Sequence, residues 1–415
     1  MLRRVLTLAI PAIAQMLLHT LVFLVDRAML GRFSDDALAS MQISGPLTWA
    51  SVSILGAFVA GTMAVVGRAV GAGDRDTAGA ATRASLLFGL GSGLVLGGLG
   101  LLLIGPILFA FPEAGDGARA AADGYLSVIF PSVPLLLLSM ISGASLTAAG
   151  DTRTPFAISA LGNAVNVSAN YVLIFGKAGF SPMGAEGAAL ASAMAVALQC
   201  LLFFAWLLRR NSAVSIRGRG GETDAFRRML RVALPSFAEK LLQQAGYFGY
   251  VLMVGALGTL AMASNQALIS IEAVSFLSAD GLGIAAGAIV AQCLGSKDPS
   301  GASRAGWIGS GLAVLLLGAF GLLFLLAPRL LLGAFSDDPA IVEAGVPCLL
   351  VAAAAQPFMA VAVVLSESLR GAGATKTVLG VMAIGGVFIR LSATYVYAFE
   401  LDLGLLGVWL GSTTD

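Results

Sequence analysis

Asp26 interrupts an apolar run. Leu17, Leu18, Leu21, Val22, Phe23, Leu24 and Val25 lead up to it, and no charge of either sign stands between Arg4 and it. An acidic residue at the centre of a membrane helix opposes insertion by about 2.5–3.5 kcal/mol, less toward the interface. A carboxylate kept there is by default a functional group, and its chemistry is the uptake and release of a proton or a cation. The bland reading is a carboxylate near a helix end that reaches water or pairs with Arg27. Asn163, Asn166 and Asn170 stand at i, i+3 and i+7, one face of a helix, with Ser168 and Tyr171 close in sequence. Amides donate and accept hydrogen bonds, so this face suits the surroundings of Asp26 or of a Na⁺ ion; interhelical hydrogen bonding alone is the other reading. The second half has its own ionisable set: Glu239 and Lys240, Glu272 and Asp280, Glu367 and Arg390. Glu239 and Lys240 are adjacent, hence about 100° apart on a helix, and need different partners. Glu272 and Asp280 fall near one face. A structural network and an ion site are both open to this set.

The elements that position these groups follow from composition. The chain has 415 residues, 58% hydrophobic and 11% charged, where soluble domains carry roughly 25% charged residues. Apolar character spread over the whole length implies an all-α polytopic membrane protein. A net charge of +1 without basic runs and interleaved aromatics gives no nucleic-acid signal. His19 is the only histidine, which excludes a His-based triad or metal centre, and Cys200, Cys293 and Cys348 show no metal or disulfide spacing. There is no Walker-type loop, and "GLGIAAG" (281–287) lacks the dinucleotide spacing; glycines so spaced in a membrane helix mean close helix contacts. The start, "MLRRVLTLAIPAIAQ", reads as an uncleaved first span.

Spans of about 20 apolar residues divide the chain into twelve: 5–30, 38–66, 85–110, 124–149, 156–176, 186–208, 232–255, 263–293, 305–328, 344–369, 378–399 and 405 to the end. With an inside N-terminus, 17 Lys and Arg fall inside and four outside (Arg32, Arg119, Lys177, Arg329), leaving Arg27, Lys240 and Arg390 within spans. This bias places both termini in the cytoplasm. The basic stretch 209–231 reads as a cytoplasmic linker held near anionic headgroups.

The linker separates two similar halves. "LAIPAIAQ" (8–15) aligns with "VALPSFAE" (232–239), "LGRFSDDALASMQ" (30–42) with "VGALGTLAMASNQ" (254–266), and "VGRAVGAGD" (66–74) with "VAQCLGSKD" (290–298), all displaced by 224 residues. "LTAAGDTRT" (146–154) aligns with "LRGAGATKT" (369–377), displaced by 223, and "GAEGAALAS" (184–192) with "GLLGVWLGS" (404–412), displaced by 220. The constant register points to a duplicated unit of six helices. An even number relates the halves by an axis along the membrane normal and leaves a cleft between them. The expected domains are a six-helix lobe at 1–208, the linker at 209–231 and a second lobe at 232–415. The repeat also predicts that the twelfth helix stops about halfway, as a truncated C-terminus would. Pro11 and Pro235 occupy equivalent positions, where each removes a backbone donor and permits bending.

These motifs, with "NAVNVSANYVLIFG", "SNQALISIEAVSF" and "SLRGAGATKT" in order, resemble the multidrug and toxic compound extrusion (MATE) family over nearly the whole chain. The resemblance implies two six-helix lobes and export of drugs or toxins driven by H⁺ or Na⁺. It implies that Asp26 matches the acidic residue of helix 1 in the proton-coupled prokaryotic branch, where it is proposed to bind the coupling ion in the N-lobe cavity. The family often has Asp where Asn170 stands, and that departure removes a second titrating group. The acidic positions of the Na⁺-coupled branch fall on Gln243 and Met359 here, so that site does not transfer.

The expectation is therefore a secondary active antiporter, not an enzyme, exporting organic cationic or amphipathic compounds. Coupling and substrate residues are expected among Asp26, Asn163, Asn166, Asn170 and Tyr171, with Na⁺ possible at Asp26, Asn166 and Asn170. Glu239, Glu272, Asp280 and Glu367 are secondary candidates. No cofactor beyond the coupling ion is expected. Its partners are small organic molecules and the lipid bilayer, and it acts as a monomer. A lipid-linked saccharide flippase is the nearest alternative, an integral-membrane enzyme the next.

Overall fold

In the computed structural model the described residues are 1–111, 115–209, 212, 214–218 and 220–414. They form an all-α chain: α1 (Leu2–Phe33), α2 (Asp35–Gly71), α3 (Arg75–Phe109), α4 (Asp116–Ala148), α5 (Arg153–Phe175), α6 (Gly184–Leu207), α7 (Glu222–Ala256), α8 (Thr259–Gly295), α9 (Pro299–Leu326), α10 (Pro328–Gly333), α11 (Pro339–Gly371), α12 (Thr375–Val381), α13 (Arg390–Tyr395) and α14 (Gly404–Ser412). Two π-helical stretches, Met382–Ile389 and Val396–Glu400, flank α13 and carry the helical path from 375 to 400. Each predicted span falls in a helical stretch.

Among the described residues, ten helical stretches are long and apolar enough to cross a membrane. α7 has the length, 35 residues, but Glu239, Lys240, Gln243 and Gln244 dilute its apolar character. α14 has nine residues where its repeat counterpart α6 has 24. α7 also starts inside the stretch read as linker. Ala225, Met229 and Ala233 are buried at four-residue spacing while Arg227, Arg228 and Arg231 are exposed, an amphipathic pattern that continues the helix outward. Of the linker, Arg210, Asn211, Ala213 and Arg219 lie outside the described residues. Its Val214 is buried, and Arg83 of α3 bonds Glu222 at 2.8 Å and the Gly220 carbonyl at 3.1 Å.

The chain forms two compact units. Unit 1 comprises Met1–Ile13, Leu234–Leu294 and Asp298–Asp415, and unit 2 comprises Ala14–Ala233 and Gly295–Lys297. The first thirteen residues join unit 1 because Val5, Leu8 and Ala9 are buried in one apolar core with Leu282, Ala286 and Ile289 of α8.

The duplication extends to backbone geometry. Asp74 N–H bonds the Ala69 carbonyl at 2.9 Å and Asp298 N–H the Cys293 carbonyl at 2.8 Å. Both are six-residue closures that need a left-handed residue just before the aspartate. Gly73 supplies it at φ 74°, and Lys297 takes the same place at φ 60° despite its Cβ. A second joint repeats within each unit. Pro134 in α4 and Pro357 in α11 lack the N–H that would bond the carbonyl four residues back, which frees Phe130 and Ala353. A Cβ on Gly97 would lie 2.4 Å from the Phe130 oxygen, and one on Gly321 would lie 2.9 Å from the Ala353 oxygen. Each glycine lets a neighbouring helix close over the freed carbonyl.

Asp74 and Asp298 cap α3 and α9, accepting from Thr77 N–H at 2.9 Å and Gly301 N–H at 2.8 Å. Hydrogen bonds hold both carboxyls below their ordinary value of 3.8, first from the Thr77 hydroxyl for Asp74 and first from the Gly301 amide for Asp298. A depressed folded value contributes stability that is present above the unfolded value and lost as pH falls through the folded one. The Asp74→Asn/Asp298→Asn protein, with neutral caps, should therefore show a smaller fall in melting temperature than wild type on acidification from about pH 5 to about pH 3. Parallel acid curves would refute the assignment of these caps.

Candidate functional site

In unit 2, α1 and α5 run parallel and meet at two polar contacts three turns apart. Gln15 Nε2 donates to Ser159 Oγ at 3.1 Å, and Asn170 Nδ2 donates to Asp26 Oδ1 at 2.5 Å. Asp26 lies seven residues before the end of α1 at Phe33, about 10 Å along the axis at about 1.5 Å per residue. The helix runs three residues past the span expected to end at residue 30, so Asp26 lies that much deeper than the span placed it. Asn166, one turn before Asn170, completes the environment. With its amide nitrogen toward Asp26 it donates to the same Oδ1 at 3.2 Å, while its oxygen accepts from the Ser192 hydroxyl at 3.1 Å and the Ser192 N–H at 3.3 Å. In the opposite orientation its nitrogen donates to the Ser192 hydroxyl and its oxygen accepts from Asn170 Nδ2, both at 3.1 Å, but that oxygen then faces the carboxylate oxygen at 3.2 Å, which an ionised Asp26 disfavours. Two amide nitrogens thus converge on one carboxylate oxygen, an arrangement that stabilises an ionised Asp26.

The other N-terminal candidates lie outside this contact. Asn163 is buried, and its Nδ2 has no partner among the described residues. Tyr171 is 53% exposed, and its ring sits on Phe175 with centroids 5.9 Å apart. Arg27 does not pair with Asp26; its guanidinium lies over the Phe23 ring, 4.2 Å from the centroid.

In unit 1, Glu272 and Asp280 serve separate clusters, although eight-residue spacing puts them near one face. Glu272 of α8 lies in the field of Arg390 of α13 and of Tyr250 of α7. Tyr250 donates to Asn265 Oδ1 at 2.7 Å, and Trp409 Nε1 donates to the same oxygen at 3.2 Å. Asp280 lies instead in the field of Glu367, Lys240 and Arg370. Arg370 is the centre of that second cluster. Its Nη2 and Nε donate to the two oxygens of Glu239, and its Nη1 donates to Glu367. Glu239 is fully buried, so this pairing is what makes its burial tolerable. Lys240 donates to Gln243 Oε1 at 3.1 Å. Glycines of α8 let the cluster form: a Cβ on Gly283 would lie 2.8 Å from Glu367 Cγ, and one on Gly287 would lie 2.6 Å from the Glu367 carbonyl oxygen.

Sequence reasoning counted Arg370 among the inside-facing loop charges. The structure puts it in the last turn of α11, where it neutralises carboxylates from two helices. The readable signal was its i, i+3 spacing from Glu367. Ser192 was also missed. It reaches Asn166 from α6, and nothing in local spacing announces a partner from another helix. Among the described residues, no group of three or more His, Cys, Asp or Glu is arranged to hold a metal ion.

The MatE family profile matches this chain twice, over residues 11–172 and 235–396, the same displacement as the internal repeat. A probable multidrug resistance protein NorM of Thermotoga maritima is 28% identical over 417 residues, covering 100% of this chain and 89% of the relative. Another probable multidrug resistance protein NorM, from Pseudomonas putida, is 30% identical over 423 residues, covering 99% and 90%. The fold superimposes on a crystal structure of MATE in complex with MaD3S with a TM-score of 0.92 at 20% identity, covering 100% of this chain and 92% of that one.

Removing one partner of a buried ion pair typically costs about 3–5 kcal/mol. Glu239→Gln should destabilise unit 1 by about 3 kcal/mol, since Glu367 still holds the arginine. Glu367→Gln, which removes the partner of one nitrogen only, should cost less. The Glu239→Gln/Arg370→Gln pair should lose less than the sum of the single changes. Denaturation in detergent of these variants and of Arg370→Gln alone gives the four values needed, and strict additivity would show that the contacts carry no mutual energy.

Proposed function

The chain belongs to the MatE family, and from that membership we propose that it is a multidrug efflux antiporter, with Asp26 as the carboxylate through which export is coupled to an ion gradient. The observation that carries this reading is the convergence of the Asn166 and Asn170 amide nitrogens on Asp26 Oδ1. These donors hold the ionised form. On protonation the carboxyl gains an O–H donor and needs an acceptor instead. The Asn170 Oδ1, buried and without a partner among the described residues, becomes that acceptor when the amide turns over. One proton thus reorganises the contact that ties α1 to α5. Pro11, inside α1, gives the helix a place to bend in response.

Na⁺ is the second reading, favoured by the same unpartnered oxygen. The fit is poorer as arranged, because both amides turn nitrogens toward the carboxylate whereas a hard cation takes oxygen ligands. Substrates in this reading are organic cations and amphipathic compounds, the protein acts as a monomer in a bacterial inner membrane, and both termini are cytoplasmic, as the Lys and Arg distribution supports. The flippase alternative would call for a strongly basic cavity, which three cations within the predicted spans do not provide.

In vesicles with an imposed pH or Na⁺ gradient, Asp26→Asn should assemble normally and lose gradient-driven export of cationic dyes down to the level of empty vesicles. Asn170→Asp should retain export with an altered pH profile, because it adds a second titrating group. Full export by Asp26→Asn with unchanged dependence on both gradients refutes the coupling role.

A further inference from the structure

Arg27 is the cation that the coupling scheme leaves unused. It follows Asp26 directly, and consecutive residues point about 100° apart, so the two side chains part company. Asp26 turns to α5, and Arg27 turns toward α2 and α4 of the same unit. A Cβ on Gly45 of α2 would lie 3.2 Å from Nη2, and Tyr125 of α4 lies within its electrostatic reach. Phe23, one turn earlier, supplies a ring face at 4.2 Å. A guanidinium offers five N–H donors and no acceptor. Among the described residues none of these donors has a hydrogen-bond acceptor and no carboxylate pairs with the group, and Nε is buried with no partner at all. The missing Cβ of Gly45 leaves room for this cation, and the Phe23 ring lies against its face.

We propose that Arg27 is a specificity-determining residue that receives an oxyanion, the carboxylate of an amphipathic substrate whose cationic end is drawn to Asp26. This rests on the reading of the Asp26 region as the export site. The planar guanidinium matches a carboxylate through two parallel hydrogen bonds. A lipid phosphate offers the same chemistry. The buried Nε and the inward neighbours Gly45 and Tyr125 favour the substrate, since an arginine reaching for headgroups carries its charge away from the helix bundle.

A rhodamine with a free carboxylate and its methyl ester form the matched pair of probes, since they differ only in the masked oxyanion. Equilibrium binding to the purified full chain is read by fluorescence anisotropy with no gradient applied. Wild type should bind the free acid more tightly than the ester. Arg27→Gln should shrink that preference by about tenfold, the loss expected for a charge-assisted hydrogen bond, with ester binding kept. Gly45→Val, which leaves the charge and crowds the guanidinium, should shrink it partly. Kept ester binding shows that the variants are folded. A wild type with no preference for the acid, or an Arg27→Gln protein with the preference intact, overturns the proposal. So does the lipid outcome, in which phosphatidylglycerol stabilises wild type and not Arg27→Gln while the dye preference stays the same. Failure of the antiporter reading registers separately, as export by Asp26→Asn with unchanged gradient dependence.

Discussion

A carboxylate inside a membrane helix has to find its hydrogen-bond donors within the protein, because lipid offers none. Unit 2 is organised around that demand. Asp26 is met by Asn170 and Asn166 on α5, and Asn166 is in turn oriented by Ser192 on α6. The chain of contacts fixes α1 on α5 and α5 on α6, and the Gln15–Ser159 bond repeats the first attachment three turns away. The stability of the lobe and the chemistry proposed for it therefore rest on the same few polar atoms. A change in the charge of Asp26 is a change in how α1 is held.

Unit 1 meets the same demand differently. The 224-residue displacement puts Tyr250 where Asp26 stands in the first half. Tyr250 is tied to Asn265, which also accepts from Trp409, so the position carries a neutral hydroxyl bonded to an amide. In unit 1 a buried ion-pair cluster forms instead on Arg370, against Glu239 and Glu367. Duplication preserved what the backbone requires: the aspartate-capped turns, the left-handed residue before them, and the glycine packed on a proline-freed carbonyl. It left the side chains of the polar positions free to diverge. Lys297 stands where Gly73 stands in the first half, and the closure is kept there at the cost of a non-glycine residue in a left-handed conformation.

The two kinds of close packing serve the two kinds of site. Gly283 and Gly287 bring α8 against α11 so that Glu367 and Arg370 can meet Glu239 from α7. Gly45 clears the space in which the Arg27 guanidinium sits. In lipid, helices gain little from apolar burial alone, and small residues that let backbones approach supply much of the association. The glycine content of this chain is thus part of how its charges are placed.

The all-α membrane architecture, the positions of the helices and the duplicated turns were legible in the sequence, because apolar runs of bilayer length, capping aspartates and glycines in left-handed turns are local signals. The one-face spacing of Asn166 and Asn170 was legible for the same reason, since helical periodicity alone sets it. The sequence by itself did not determine which of the three asparagines meets Asp26, that Ser192 orients one of them, that Arg370 leaves the loop count to neutralise Glu239, or that Glu272 and Asp280 part into separate clusters. Those outcomes depend on which helices pack together and at what rotation. A partner 131 residues away, as Glu239 is from Arg370, leaves no trace in spacing. Only the tertiary structure brings the donors and acceptors within reach, and in a medium without water that meeting decides where a charge can reside.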